Sequence, residues 1–274
     1  MKILITGGTG HLGRVVVAQL QQDGHDVRVL ARQPGDDGAV EWAQGDLATG
    51  EGVQAAVNGV ETVIHAATNS PVAQRGAFRP LDFFRSPTDV DVEGTRALLE
   101  AAKKSSVDHF IHVSIVGLEH MARISPYSRV KLEAEQVVKA SDVPWSIVRA
   151  TPFYWLLDRM LAKMTRRSPV LLPASVHMQA VDSDEFARFV AECVSDGRRG
   201  EREDFAGPEA LTWRGLAEQY LAARGRTRRI LKAPLPGRVT SALEAGSTSA
   251  DAPLGRTTWA EWLRRSSARP AASA

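Results

Sequence analysis

Short apolar runs alternate with amphipathic stretches over the first 150 residues of the chain. Between the runs, apolar residues recur with helical spacing, as in Leu12, Val16 and Leu20. Brief runs predict strands buried on both faces, and helical spacing predicts amphipathic helices. Their alternation favours right-handed βαβ units and a parallel sheet. The runs are Ile3–Ile5, Val27–Leu30, Val63–Ile64, Phe110–Val113 and Ile147–Val148.

Beyond Pro152 the pattern becomes mainly helical. Asp182 predicts a helix start before an apolar periodic run, and Thr212 predicts another. We expect a main domain over residues 1–152 and a small, mostly helical cap region over 153–265. Some segments of that region are expected to return to the core, and residues 266–274 to form a frayed tail.

Composition narrows the classes of protein. The chain has 274 residues and a formal net charge of +2, which does not suggest a nucleic-acid binder. The basic run Arg224–Arg229 is interpreted as solvated surface. The single cysteine, Cys193, excludes an internal disulfide and a cysteine-based zinc cluster; we predict no metal and a buried thiol. Because no segment has the ~18–20 apolar residues of a membrane span, we expect no membrane partner and a cytoplasmic protein.

A glycine-rich turn follows the first predicted strand. Gly7, Gly10 and Gly13 have the spacing that lets a chain turn tightly, approach a pyrophosphate and pack a helix on a sheet. The free N–H groups at the helix start then face the phosphates. We therefore predict an α/β, Rossmann-type doubly wound parallel sheet that binds a dinucleotide. The cofactor-binding residues predicted in this turn are Gly7, Thr9, Gly10, His11, Leu12 and Gly13.

The next strands indicate which dinucleotide binds. The second strand ends in Arg32 instead of an acidic residue, and a guanidinium there accommodates a 2′-phosphate. This favours NADP(H). Asp46 and Leu47 are candidate contacts to the adenine, although a Gly-Asp pair is also ordinary turn chemistry. Ala66 and Ala67 leave room for the ribose on the nicotinamide side.

Tyr127 and Lys131 lie four residues apart at the start of a predicted helix. At that spacing they share one face, and an ammonium near a phenol lowers the pKa of the phenol. Ser114 ends the preceding strand and is placed to bond a carbonyl oxygen. The alternative is that Tyr127 and Lys131 lie on a solvated surface. Together, the three residues predict acid–base chemistry on a carbonyl group beside the cofactor.

These residues resemble the short-chain dehydrogenase/reductase superfamily, and more closely its atypical NmrA-like, NAD(P)H-binding branch. The resemblance is carried by the glycine turn, the segments Gly45–Leu47 and His65–Ala67, Ser114, and Tyr127 with Lys131. It implies Ser114, Tyr127 and Lys131 as a catalytic triad, with Lys131 also holding the nicotinamide ribose.

Three functions follow from the resemblance. The first is an NADPH-dependent carbonyl or quinone reductase, or an alcohol dehydrogenase. The second is an NADP(H)-sensing regulatory protein without turnover, and the third is a sugar-nucleotide epimerase or dehydratase. Ligands of open α/β folds bind beyond the carboxyl ends of the strands, so Thr68, Phe153 and Tyr154 are predicted substrate contacts. The aromatic residues there, including Phe78, Phe83 and Phe84, favour an apolar or aromatic carbonyl substrate, bound by a monomer or homodimer.

Overall fold

The computed structural model describes residues 1–35, 38, 40–70, 88–197, 199–249, 251 and 253–268. Seven of the strands form one sheet in the order β3-β2-β1-β4-β5-β6-β9, and every neighbouring pair is parallel. The described strands are β1 (Lys2–Thr6), β2 (Asp26–Ala31), β3 (Glu41–Gln44), β4 (Thr62–His65), β5 (His109–Ile115), β6 (Trp145–Ala150), β7 (Val170–Leu172), β8 (His177–Met178), β9 (Gly200–Glu201), β10 (Leu211–Thr212) and β11 (Ile230–Lys232).

The helices begin where the sequence places capping residues. Asp182 accepts a hydrogen bond from the Asp184 backbone N–H, and Thr212 accepts one from Gly215, so both predicted helix starts are confirmed. The described helices are α1 (His11–Gln22), α2 (Val53–Val57), α3 (Gly94–Lys104), α4 (Leu118–Met121), α5 (Pro126–Lys139), α6 (Tyr154–Met164), α7 (Ser183–Ser195), α8 (Trp213–Ala223), α9 (Gly237–Ala245) and α10 (Trp259–Ala268); a π-helical turn, Asp89–Glu93, leads into α3.

Helices cover both faces of the main sheet. Ile3 and Ile5 of β1 pack with apolar side chains of α1 and α7 on one face. Leu4 of the same strand packs with α2, α3 and α5 on the other. Successive residues of a strand point to opposite faces, and a sheet buried on both sides therefore needs continuous apolar runs. The predicted doubly wound parallel sheet is confirmed.

A third apolar cluster forms the cap. It joins α6, α8 and α10 to two small sheets, in which β7 pairs with β11 and β8 pairs with β10. Trp259 of α10 is fully buried there, and its indole N–H donates to the Leu216 carbonyl oxygen at 3.1 Å. In the described residues, no helix combines the length and apolar character needed to cross a bilayer.

The chain returns from the cap to the main sheet. Helix α7 packs beside α1, and β9 extends the sheet next to β6, before α8 resumes the cap. Residues 266–268, expected to lie in a frayed tail, instead continue α10. Leu263 is buried in the cap cluster and its carbonyl oxygen accepts from the Ser266 hydroxyl, which stabilises this last turn. Residues 269–274 lie outside the described part of the chain.

Candidate cofactor and active site

The glycine turn packs tightly against the end of β4. Gly7 has a φ of +76°, which favours glycine, and a Cβ atom on it would lie 2.7 Å from the Ala67 backbone nitrogen. A Cβ on Gly13 would collide with the Gly7 carbonyl. The Gly10 N–H donates to that same carbonyl oxygen at 2.9 Å. The sequence thus folds into a cradle of exposed backbone above the carboxyl ends of β1 and β4.

His65, the last residue of β4, is a structural member of this region. Its Nδ1 lies 2.7 Å from the Thr6 hydroxyl and its Nε2 lies 2.9 Å from the Thr95 hydroxyl. Burial, with a smaller effect of the Lys131 charge, lowers the pKa of His65 to about 3. The ring is therefore neutral at physiological pH and ties β1, β4 and α3 together.

The residues expected around the adenosine differ in their surroundings. Arg32 is exposed directly after β2. One carboxylate oxygen of Asp46 accepts from the Ala48 backbone N–H at 2.9 Å, which is the turn role considered as the alternative. Leu47 is buried in the core beside α3, because its side chain packs under the turn. This burial disagrees with the predicted contact between Leu47 and an adenine ring.

Helix α5 directs two predicted catalytic side chains toward the sheet. Ser125 caps its start by accepting from the Ser128 N–H at 3.2 Å, so Tyr127 lies in the first turn. The Tyr127 hydroxyl lies 3.0 Å from the Thr68 hydroxyl, just beyond β4. One turn later, the Lys131 ammonium donates to the Val113 carbonyl oxygen of β5 at 3.3 Å.

Ser114 follows Val113 at the same end of β5. Ser114 is 4% exposed, and its hydroxyl has no hydrogen-bond partner among the residues that the structure describes. An unsatisfied buried hydroxyl is costly, and such groups in native sites commonly await a ligand or water. Ser114, Tyr127 and Lys131 therefore converge on the carboxyl ends of β4 and β5, the edge at which the glycine turn also lies.

A carboxylate that sequence reasoning missed lies against Lys131. Asp91, in the π-helical turn, has one oxygen 3.6 Å from the Lys131 ammonium, and both residues are buried. Its other oxygen accepts from the Asn69 backbone N–H at 2.9 Å. In the sequence Asp91 is one of two similar acids, and only the fold distinguishes it from the exposed Asp89.

The charge balance overturns one expectation about Tyr127. Burial and, next, the Asp91 carboxylate raise the pKa of the Tyr127 phenol well above its ordinary value. Hydrogen bonds with Thr68 and Ser70 oppose that rise only in part. The prediction that Lys131 lowers this pKa is wrong for the structure, because burial and, after it, the Asp91 carboxylate raise the pKa.

A second residue that the sequence did not single out lies behind the site. His112 of β5 is fully buried, and its ring centroid lies 5.3 Å from that of His65. Neither ring nitrogen has a partner among the described residues. Burial, followed by the Lys131 charge, lowers the pKa of His112 well below its usual value, so the ring is neutral.

The predicted substrate contacts separate into two groups. Thr68 is exposed beside Tyr127, and Phe153 is half-buried against Phe186 with ring centroids 5.6 Å apart. Tyr154 instead lies inside the cap core, where its hydroxyl donates to the Thr257 carbonyl oxygen at 2.9 Å. This burial argues against a contact with substrate. The expected aromatic residues Phe78, Phe83 and Phe84 lie outside the described residues.

Two further aromatic side chains flank the glycine turn. The exposed His11 at the start of α1 stacks on Trp155 of α6, with ring centroids 4.4 Å apart. The stack joins the predicted cofactor-binding turn to the first helix of the cap. His11 is therefore held in place from the cap side.

Comparison with known proteins identifies the family. A model of the family described as NAD(P)H-binding matches residues 7–197, well over half of the chain. The chain belongs to this family. Membership in the NAD(P)H-binding family confirms the resemblance found in the sequence, and makes a nicotinamide dinucleotide the cofactor class.

The individual proteins that resemble this NAD(P)H-binding protein share about a third or less of its residues. It is 31% identical to a ceramide reductase of Caulobacter vibrioides, over 87% of this chain and 75% of that protein. It is 28% identical to the photosystem II assembly factor Ycf39 of Cyanophora paradoxa over 69% of its length, but spans only 58% of that relative. An NADPH-dependent quinone oxidoreductase of Escherichia coli shares the fold, with a TM-score of 0.71, 18% identity, and coverage of 96% of this chain and 98% of that one.

Proposed function

We propose that the protein is an NADPH-dependent reductase that acts on a small, largely apolar carbonyl compound or quinone. The observation that carries the proposal is the convergence of three side chains at one sheet edge. Tyr127 reaches the Thr68 hydroxyl, Lys131 reaches the carbonyl oxygen of Val113, and the Ser114 hydroxyl beside them has no partner among the described residues.

The residues present fit a nicotinamide dinucleotide. A Cβ atom at Gly7 would collide with the backbone of Ala66 and Ala67, and one at Gly13 with the Gly7 carbonyl. Only glycine therefore permits the tight turn that would present backbone to a pyrophosphate. The N–H groups at the start of α1 would face the phosphates, and Ala66 and Ala67 would line the nicotinamide side. Lys131 would hold the ribose there, and Arg32 would hold the 2′-phosphate. When bound, the reduced cofactor supplies a hydride.

The chain's own side chains supply the proton. Ser114 would donate a hydrogen bond to the carbonyl oxygen of the substrate and orient it. Tyr127 would donate its phenolic proton to the same oxygen. Its raised pKa keeps the phenol protonated at neutral pH, which is the state that can donate a proton. Burial of the phenol is the main cause of that raised pKa, and the Asp91 carboxylate adds to it.

The relatives point in the same direction. The ceramide reductase is named for an apolar substrate, and a second relative that is 30% identical, from Streptomyces griseus, is named as a reductase of a furanyl methyl phosphate. Both names support reduction as the reaction. Only the ceramide reductase supports an apolar substrate, because the substrate in the other name carries a phosphate.

Replacing Tyr127 tests the reaction. We expect Tyr127→Phe to lower NADPH oxidation, measured at 340 nm against a panel of ketones and quinones, by roughly 10²–10⁴-fold, because the proton donor is lost. NADPH binding, followed by fluorescence, should be retained. The matched control is Tyr220→Phe, which removes a buried hydroxyl in the cap cluster. Turnover by Tyr127→Phe equal to that of the control would contradict the proposed role.

Replacing Arg32 tests the choice of cofactor. In the Arg32→Glu variant, a carboxylate would repel the 2′-phosphate, so we expect the Kd for NADPH to rise at least about tenfold more than the Kd for NADH. Both constants are measured by titration calorimetry. Lys104→Glu, at the exposed end of α3, provides the same change of charge away from the site. Equal losses for both cofactors would assign Arg32 no part in selection.

A second function is favoured by one comparison. Ycf39 is named as an assembly factor and not as an enzyme, and it matches 69% of this chain. The corresponding proposal is an NADP(H)-sensing protein without turnover. NADPH binding in the absence of oxidation by any compound of the panel would support it over the reductase.

A further inference from the structure

Two segments of the cap are strongly basic. Residues 159–172 and 224–243 together contain ten arginines and lysines and no aspartate or glutamate, whereas the whole chain has a net charge of only +2. The rest of the chain is therefore net acidic, and positive charge is concentrated in these two segments. Charge separation on this scale creates a local field that attracts an anionic partner.

The fold brings the two segments side by side. Strands β7 and β11 pair in parallel, with Val170 opposite Ile230, and the Val170 N–H donates to the Arg229 carbonyl oxygen at 2.8 Å. The Arg226 guanidinium donates to the Thr165 carbonyl oxygen at 3.0 Å. Because both strands start at the same end of the small sheet, the arginines that precede them lie close together.

Five of these basic residues form what we call the basic face. Arg228 is half-buried and the others are exposed, and none of the five is paired with a carboxylate in the part of the chain that the structure describes. Arg224 is excluded, because it is paired with Asp158. The basic face consists of Arg166, Arg167, Arg228, Arg229 and Lys232.

An apolar side chain is exposed on β7, the strand that follows Arg166 and Arg167. Leu171 of β7 is 58% exposed, although its neighbours Val170 and Leu172 are buried, so it points away from the cap core. Its partner in register, Leu231, is half-buried. Leu235, which follows β11, is 38% exposed. Two of the four large exposed hydrophobic residues of the described chain are therefore on β7 or shortly after β11.

We propose that the basic face docks the protein on the surface of an anionic lipid bilayer. Arginine and lysine attract the acidic headgroups, while the exposed Leu171 of the adjoining strand enters the boundary with the acyl chains. A nucleic acid would match the charge, but it would leave Leu171 without a role, and the basic face contains no aromatic residue on which bases stack. The docking is peripheral and needs no membrane-spanning helix.

Vesicle binding by the full chain tests this proposal. We expect the protein to sediment with vesicles that contain phosphatidylcholine and phosphatidylserine, but not with pure phosphatidylcholine, at an ionic strength near 0.15 M. Because each basic residue near such a surface strengthens binding about fivefold, Arg167→Gln/Arg229→Gln should weaken it roughly 25-fold. The control pair Lys104→Gln/Arg188→Gln makes the same change on exposed helix positions and should bind like the unchanged chain.

The Leu171→Ser variant distinguishes binding to a bilayer from binding to another polyanion. We expect this variant to bind anionic vesicles several-fold more weakly, because an apolar contact is lost without any change of charge. Circular dichroism melting would establish that each variant is folded. Equal sedimentation with neutral vesicles, or equal losses in the control pair, would overturn the proposal. So would unchanged vesicle binding by Leu171→Ser together with full competition by duplex DNA. The readout is binding, so its outcome is independent of reductase activity.

Discussion

Asp91 is the residue that most changes the chemistry expected from the motifs. Tyr127 and Lys131 with helical spacing suggest a phenol activated by a nearby cation. The structure adds a buried carboxylate 3.6 Å from that cation. Burial of the phenol and, next, this carboxylate raise the phenol pKa. The site is therefore built around a protonated tyrosine beside a buried lysine–aspartate pair.

Removing this carboxylate should shift the titration of Tyr127. In Asp91→Asn the negative charge is lost, so the pKa of the phenol should fall. A proton donor works below its pKa and fails as pH rises through it, so the alkaline limb of the reductase pH profile should move to lower pH. The phenolate band of the protein, corrected with Tyr127→Phe, gives the same pKa directly.

Asp89→Asn serves as the matched control for that experiment. Asp89 lies in the same π-helical turn and is exposed, so its loss should leave both measurements unchanged. A Tyr127 titration that is identical in Asp91→Asn and the unchanged chain would contradict the proposed charge balance.

At the residue scale, sequence patterns identify chemistry but not burial. Gly7, Tyr127 and Lys131 are recognisable because a turn and a helix face constrain their spacing. Asp91 and His112 carry no such spacing, and only the packing of α3 and α5 on the sheet brings them to the site. Leu47 is the opposite case: its place in the sequence predicts a contact with the adenine, but its side chain packs in the core.

At the scale of elements, β4 and β5 contain three buried histidines, which is unusual for strands covered on both faces. Burial is the largest cause of the lowered pKa of each, to about 3 for His65 and about 4 for His109. His109 bonds the Ser146 hydroxyl of β6 at 2.8 Å. The strands are thus held by neutral imidazoles that take up protons on unfolding.

These histidines predict a loss of stability in acid. A histidine with a lowered folded-state pKa leaves the unfolded chain binding more protons below its ordinary pKa of about 6.5. The free energy of unfolding should therefore fall as pH drops from about 6.5 toward 4, by up to about 2 kcal/mol per histidine at pH 5. Urea unfolding at pH 7.5 and 5.0 measures this.

His109→Gln isolates one contribution. Glutamine can still bond Ser146 but does not titrate, so the variant should lose less stability between the two pH values than the unchanged chain. His120→Gln, at an exposed position in α4, should not alter the difference. Identical pH dependence in His109→Gln and the unchanged chain would show that His109 does not drive the effect.

The sequence predicts the strands with apolar runs and the capped helices better than the short or small-residue elements. Strands β1, β2, β4, β5 and β6 have apolar runs that reveal them. Asp182 and Thr212 mark helix starts through local capping. Strand β9 has two residues, and helix α9 lies in a segment rich in small residues. Such elements are defined by the surfaces they pack on, and local periodicity does not encode those surfaces.

At the scale of the whole molecule, the cap is held by its own aromatic core. Tyr154, Trp259 and Trp262 pack with ring centroids 5.3 to 6.0 Å apart, and the Tyr154 hydroxyl reaches the Thr257 carbonyl oxygen. The place of Tyr154 in the sequence, directly after Phe153, predicts a contact with substrate. Its burial assigns it to the architecture of the cap.

Tyr154→Phe distinguishes these roles. The variant loses one buried hydrogen bond, so we expect the free energy of unfolding to fall by about 1 kcal/mol and the Tm to fall with it. The kcat/KM for any substrate found in the NADPH panel should stay unchanged. A raised KM with undiminished stability would instead place the hydroxyl in contact with substrate.

The return of the chain from the cap to the sheet also governs how the protein is assembled during synthesis. One face of the sheet is covered partly by α7, which ends at Ser195, and the sheet edge is completed by β9 at Glu201. A ribosome adds about 5–20 residues per second, so the apolar face beside α1 stays incomplete until about 200 residues have emerged. A nascent chain stopped near residue 152 would have all the cofactor-turn residues, yet its exposed face would be a substrate for chaperones.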